Sequence, residues 1–181
     1  MSTEILLEEL RFPIGKWVKP TQYDFTKISE QMAIIGNFPA KISSATAALS
    51  DAQLDTPYRQ GGWTIRQVVH HCADSHMNAL IRFKLALTED RPTIKPYAEN
   101  LWAELPDGKS LPVKVSLQLL EALHLRWTVL LTALNDEQWK RGFIHPEHGG
   151  KLKLYETVSL YAWHCEHHLA HITRLKERMA W

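Results

Sequence analysis

Ten of the 181 residues are histidines, and they are unevenly spread. His70, His71 and His76 form one group, and His164, His167, His168 and His171 another. Neutral imidazole is the commonest protein ligand for metals, so the clustering points first to a metal ion. His164 and His168 stand four apart. On a helix this sets their rings one turn from each other, a spacing at which two imidazoles can ligate one ion; His168 and His171 form a second candidate pair. At about 100° per residue, Thr157, Leu160, Tyr161, His164, His168, His171, Ile172, Leu175 and Met179 fall in one stripe about 120° wide. Histidine therefore occupies the middle of a buried face. Imidazoles buried there must stay neutral and find partners for their nitrogens, and a cation satisfies several acceptors at once. The competing reading for any one of them is a hydrogen-bonded packing residue. The stretch His164-Cys165-Glu166-His167-His168 lacks the His-Glu-x-x-His pattern of zincins, and Glu166 points well off the ligand face, so it cannot simply be assigned as the general base of a metalloprotease.

Two histidines on one helix need a third ligand from another. The apolar stripe Ile65, Val68, Val69, Cys72, Ala79, Leu80, Phe83 and Leu87 marks a helix from residue 64 to about residue 88. It opens on Thr64-Ile65-Arg66-Gln67, a capping-box pattern. His76 projects near the centre of its stripe, His71 lies on its flank and His70 further round, so periodicity leaves His76 and His71 both open. The remaining elements follow from the same reasoning. Arg11-Phe12-Pro13-Ile14-Gly15 through Lys19-Pro20 reads as an extended N-terminal arm. Ile28, Met32, Ile35, Phe38, Ile42, Ala45 and Leu49 recur at helical spacing between residues 23 and 49, with Gly36 and Pro39 suggesting a kink or break. Residues 90 to 112, with four prolines and the aromatic Tyr97 and Trp102, form a connection long enough to be a functional loop or lid. Leu119, Leu120, Leu123, Trp127, Leu130 and Leu131 mark a third helix over residues 115–134, residues 143–154 read as a loop or small hairpin, and the last helix covers residues 154–179. Four substantial helices without a convincing sheet predict an all-α four-helix bundle, a fold that builds metal sites from side chains on facing helices.

Composition narrows the function. With 45% apolar residues and a net charge of +1, the chain reads as one globular domain spanning residues 1–181, and it lacks the basic footprint of a nucleic-acid binder. Glu4, Glu8 and Glu9 interrupt the apolar residues of the N-terminus, so no secretion signal is read there, and no uncharged apolar run approaches the roughly 20 residues of a membrane span. Cys72 and Cys165 are too few for a disulfide framework. These features lead us to expect a soluble, cytoplasmic protein. Cys72 reads as a small buried packing residue, and Tyr161, Trp163 and Trp127 as core.

Longer motifs sharpen the picture. Leu54-Asp55-Thr56-Pro57-Tyr58-Arg59, Gly61-Gly62-Trp63-Thr64-Ile65-Arg66-Gln67-Val68-Val69-His70-His71 and Ala73-Asp74-Ser75-His76-Met77-Asn78 occur in one half of the sequence. Tyr161-Ala162-Trp163-His164 with His167-His168-Leu169-Ala170-His171-Ile172 occurs in the other. Together with Pro13-Ile14-Gly15, Ile94-Lys95-Pro96-Tyr97 and His145-Pro146-Glu147-His148-Gly149, these resemble the YfiT-like branch of the DinB superfamily. The resemblance implies a four-helix bundle holding one divalent ion per subunit, zinc or nickel, on His71, His164 and His168. It also implies a cytoplasmic homodimer and metal-dependent hydrolysis of a small molecule. Related members of the superfamily transfer low-molecular-weight thiols such as bacillithiol to electrophiles.

Three protein ligands leave positions open, the arrangement of catalytic rather than structural zinc. A metal held this way lowers the pKa of a coordinated water to about 7 and polarises a carbonyl or phosphoryl oxygen, which supports a hydrolase. It also deprotonates a coordinated thiol, which supports an S-transferase. A non-enzymatic alternative is a binding protein in which the ion only staples two helices. Asp74, three residues after His71, and His171 are the weaker candidates for a catalytic role, as ligand-orienting or pocket-lining groups; His76 reads as structural.

Overall fold

The computed structural model describes residues 3–147 and 150–181, with side chains from residue 7. His148 and Gly149 of the quoted motif, and the side chain of Glu4, lie outside the described residues. In chain order the elements are α1 (Thr3–Arg11), α2 (Phe25–Thr46), α3 (Asp51–Leu54), α4 (Ile65–Thr88), α5 (Glu99–Trp102), α6 (Pro106–Ser110), α7 (Val113–Thr132), α8 (Asp136–Lys140), β1 (Gly142–His145), β2 (Gly150–Lys153) and α9 (Leu154–Met179). The architecture is the four-helix bundle read from periodicity, built from α2, α4, α7 and α9. The arm after Arg11 is present, preceded by the short helix α1. The long connection after α4 is present too, carrying the helical turns α5 and α6.

Neighbour relations in the bundle differ from a simple up-and-down arrangement. α2 packs on α9 and α7, and α4 packs on α7 and α9. The consecutive long helices α2 and α4 thus occupy opposite corners, as do α7 and α9. Each diagonal step is made by a long connection, residues 47–64 in the first case and residues 133–153 in the second. The arrangement sets α4 beside α9, so the two histidine-bearing helices share an interface. Ile35, Phe38, Ile42, Ile65, Val68, Val69, Phe83, Leu120, Trp127, Leu131 and Ile172 fill the core.

Local chemistry fixes the ends of these helices. The Asp24 carboxylate accepts the backbone N–H groups of Thr26 and Lys27 at the start of α2. Thr64 and Gln67 form the predicted reciprocal cap of α4, with Thr64 N–H to Gln67 Oε1 at 3.0 Å and Gln67 N–H to Thr64 Oγ1 at 3.1 Å, satisfying two donors that a helix start leaves unpaired. Arg141 donates to the carbonyls of Ala86 and Glu89 at the far end of α4.

α2 does not break at Gly36 and Pro39, where the sequence suggests a kink or interruption; it runs through both. Pro39 has no N–H to give the Ile35 carbonyl four residues earlier. That carbonyl instead accepts the His124 Nδ1–H at 2.7 Å, and Ile35, Phe38 and Ile42, all within 1% of full burial, anchor this stretch in the core.

The small hairpin β1–β2 pairs Gly142 with Lys153 and His145 with Gly150. Ile144 bonds to Pro92 and Ile94, tying the loop that carries Tyr97 to the hairpin edge. Gln67 and His70 of α4 hold the rest of that connection, through the carbonyls of Ala103 and Leu111. Among the described residues no helix is long and apolar enough to cross a membrane.

Candidate metal centre

His71 on α4 and His164 and His168 on α9 bring one ring nitrogen each to within 4.8 Å of one another. His71 Nε2 and His164 Nε2 are 3.2 Å apart. A tetrahedral ion with nitrogens at about 2.0–2.1 Å separates any two of them by about 3.3 Å, so these rings stand at ligating distance before any rearrangement. The donor set, three imidazoles on two adjacent helices, fits a divalent transition ion. His167, His168 and His171 form a second convergent group that shares His168 with the first. Neither group includes Cys72 or Cys165, both buried with free thiols that burial pushes up in pKa.

Burial determines the protonation of these rings. His71 is lowered to about 3, chiefly by desolvation and then by the neighbouring His167. His164 and His168 are lowered well below the ordinary imidazole range, first by desolvation and then by the other histidines. All three rings are therefore neutral at pH 7, each with one ring nitrogen free of a proton, the charge state a metal requires.

The turn between α3 and α4 supplies aromatic walls. Gly62 N–H bonds to the Arg59 carbonyl, with Gly61 at φ +65° between them, a turn whose third position favours glycine. Thr64 and Pro57 bridge across its base. The turn lays Tyr58 flat on His171, ring centroids 3.9 Å apart, and Trp63 against His71 at 4.5 Å. Two cavities reach the triad of His71, His164 and His168. One, of about 350 Å³, is lined by Arg11, Tyr58, Arg59, Trp63 and the histidines His71, His164, His167, His168 and His171. The other, of about 490 Å³, is lined by Ser75, Arg82, Tyr97, His145, Glu147, Tyr161 and His164. Glu99, Asn100 and His164 belong to both walls.

The remaining sequence candidates separate cleanly. His171 lines the smaller cavity and donates from Nε2 to the Arg11 carbonyl at 3.2 Å. Asp74 lines neither cavity; it is half-buried, and desolvation with repulsion from Asp107 raises its carboxyl to about 6. His70 donates from Nε2 to the Leu111 carbonyl and accepts from the Ser116 hydroxyl, which occupies both ring nitrogens away from the triad. Glu166 is exposed and lies 3.8 Å from Lys41. Tyr161 and Trp127 are core residues, and the Tyr161 hydroxyl donates to the Ser75 carbonyl; Trp163, read as core, is instead half-buried, stacking on His167 in the wall of the smaller cavity.

His76 is packed against His164 on the side away from His71, with His76 Nε2 3.0 Å from His164 Nδ1. Behind it stands His124, which sequence reading passed over. It sits on α7 among Leu120, Leu123 and Trp127, and this placement on a buried stripe is the signal that could have singled it out. Arg82, Glu99, Tyr58 and Trp63 were likewise not singled out, because they come to the site from a loop, a turn and a helix flank.

Residues 37–172 match the DinB superfamily. Over 172 residues the chain is 49% identical to a Bacillus subtilis (strain 168) protein named "Putative metal-dependent hydrolase YfiT", covering 95% of this chain and 97% of that one. It is 53% identical over 175 residues to a Bacillus cereus (strain 03BB102) protein named "Putative metal-dependent hydrolase", covering 97% of this chain and all of that one, 100%. The solved structure of YfiT from Bacillus subtilis, described as "a probable metal-dependent hydrolase with an unusual four-helix bundle topology", superposes with a TM-score of 0.93 at 49% identity. It covers 96% of this chain and 99% of that one.

Proposed function

The chain belongs to the DinB superfamily, and from that premise we propose that it is a metal-dependent hydrolase of small molecules whose ion is held by His71, His164 and His168. The observation that carries this reading is the convergence of three neutral ring nitrogens at the meeting point of two cavities. Three protein ligands leave coordination positions that face open space, as a catalytic site requires and a structural staple does not. The ion would be zinc or nickel, both of which imidazole suits.

When bound, such an ion supplies Lewis acidity and hydrolytic water at neutral pH. The surrounding residues do the rest. Trp63 and Tyr58 shield His71 and His171 from bulk water, which strengthens every electrostatic interaction at the centre. Arg82 and Tyr97 line the larger cavity with hydrogen-bond donors suited to a carbonyl, carboxylate or phosphoryl oxygen. Glu99, on both walls with His164, is the carboxylate placed to accept a proton released in hydrolysis. Cavities of this size suit a small molecule.

The test is to load the protein with zinc or nickel and present activated carboxylic and phosphoric esters, and separately an electrophile with and without bacillithiol. We expect thiol-independent hydrolysis. His71→Ala, His164→Ala and His168→Ala should each abolish both tight metal binding and turnover, while His70→Ala retains metal. Product formed only when the thiol is present would replace the hydrolase reading with S-transfer. Metal retained by all three alanine variants would remove the site.

A further inference from the structure

His76 and His124 are buried histidines that the metal reading leaves without a task, and the hydrogen bonds running through them have a direction. His124 Nδ1 is 2.7 Å from the Ile35 carbonyl oxygen, which can only accept, so His124 donates from Nδ1. A neutral imidazole has a single N–H, and burial holds His124 neutral at pH 7 by pushing its pKa down to about 4. Its Nε2 is therefore an acceptor. His76 Nδ1, 2.7 Å away, must donate to it, which makes His76 Nε2 an acceptor in turn. His164 Nδ1, 3.0 Å from His76 Nε2, must then be the donor. His164 Nε2, the atom facing His71, is left as a bare lone pair. One backbone carbonyl sets the protonated nitrogen of three rings in series.

Pro39 makes that carbonyl available. In an uninterrupted helix the N–H of the residue four positions on would occupy the Ile35 carbonyl; proline has none. A shorter series ends on α9's other contribution to the triad. His171 Nε2 donates to the Arg11 carbonyl at the end of α1, one of the carbonyls a helix terminus leaves without a partner. His171 Nδ1 then accepts from His168 Nδ1 at 3.4 Å, and His168 Nε2 is left bare.

We propose that His76 and His124 are positioning residues which hold His164 as its Nδ1–H tautomer, with Nε2 ready to ligate, the Ile35 carbonyl freed by Pro39 serving as the fixed reference. The proposal rests on the reading that His71, His164 and His168 hold the ion. Without this restraint a neutral imidazole samples both tautomers, and the one protonated at Nε2 cannot bind metal from that atom. Partners that fix the tautomer of a ligating histidine are worth about 10–100-fold in metal affinity.

The decisive measurement is nitrogen-detected NMR of the histidine side chains in the full-length, metal-free protein, in which protonated and bare ring nitrogens are well separated. We expect His164, His76 and His124 all to show Nδ1–H and bare Nε2. His124→Leu should give mixed tautomers at His164 and lower the affinity for Zn²⁺, measured by competition with a chromophoric chelator, about 10–100-fold. His124→Gln can offer Oε1 to the His76 Nδ1–H and should recover most of both properties. An Nε2–H signal for His164 in the unsubstituted protein overturns the proposal, as does wild-type Zn²⁺ affinity in His124→Leu or a glutamine variant as weak as the leucine one. The tautomer spectrum is read without metal, so it decides the proposal even if a variant fails to fold. If His71→Ala binds Zn²⁺ as tightly as the unsubstituted protein, the triad reading fails instead, and the two failures remain distinct.

Discussion

Asp74 stands three residues beyond His71, yet its environment argues for a cost rather than a catalytic role. Its carboxyl is raised from 3.8 to about 6, first by burial and then by repulsion from Asp107. The folded protein therefore binds more protons than the unfolded chain between those values, and stability falls as pH rises through that window. Asp74→Asn removes the buried charge and should raise the melting temperature at pH 7.5. The gain should shrink as the pH is lowered towards and below about 6, where Asp74 takes up its proton in the folded state, and Zn²⁺ affinity at pH 7.5 should equal that of the unsubstituted protein; thermal melts between pH 7.5 and 6 and a chelator titration check both. Loss of affinity in this variant would instead place Asp74 among the groups that orient a ligand. At this scale the sequence is informative about which rings converge but not about their roles. Periodicity leaves His71 and His76 both open, and the structure gives the physical reason. Both rings touch His164, His71 at Nε2 and His76 at Nδ1, so both must project toward the same place. Only the side of the imidazole on which each lies distinguishes a candidate ligand from its support.

Among the elements, α2 shows how a local rule can be satisfied from a distance. Pro39 signals a break because it removes one helical hydrogen bond, and an interior proline costs a helix about 3 kcal/mol against alanine. The helix persists because the donor it lacks is supplied by His124 on α7, a residue far away in sequence. Pro39→Ala restores a local N–H that competes for the Ile35 carbonyl. We expect a higher melting temperature in the metal-free protein together with a Zn²⁺ affinity lowered several-fold, a combination of opposite signs that a purely structural proline would not give. Calorimetry and chelator competition measure the two; stability gained with affinity intact would show that His124 does not depend on a freed carbonyl. The same distinction separates what was legible from what was not. The cap at Thr64 and Gln67, the stripes of the four long helices and the spacing of His164 and His168 are written within a few residues of one another and are legible in the sequence. The diagonal placement of α2 against α4, the delivery of Trp63 and Tyr58 by a turn, and the role of His124 depend on contacts between distant segments, which periodicity does not encode.

For the molecule as a whole, the concentration of neutral histidines in one bundle sets how it must respond to acid. His71 and His171 are lowered to about 3 and His124 and His167 to about 4, with burial the leading cause for each. His76, His164 and His168 are lowered well below their ordinary value by the same desolvation. Unfolded, each titrates near 6.5. Below that pH the unfolded chain binds more protons than the folded one, so stability declines as pH falls, by up to about 1.4 kcal/mol per pH unit for each histidine. Several acting together exhaust the roughly 5–15 kcal/mol that holds a domain folded within about two units. The metal-free protein should therefore lose its helical circular dichroism in one steep transition between about pH 6.5 and 4.5. Zn²⁺ binds only the neutral rings and so opposes their protonation. It should move the midpoint to lower pH, with its effect fading as protons outcompete it at His71, His164 and His168, the proposed ligands. Helical signal unchanged down to pH 4 without metal would mean that water reaches these rings and that the desolvation assigned to the centre is absent. A transition that Zn²⁺ fails to shift would mean that the histidines are buried for packing alone. The predicted behaviour, acid lability relieved by an ion, is what a bundle shows when its core is assembled around lone pairs that either a proton or a metal can occupy.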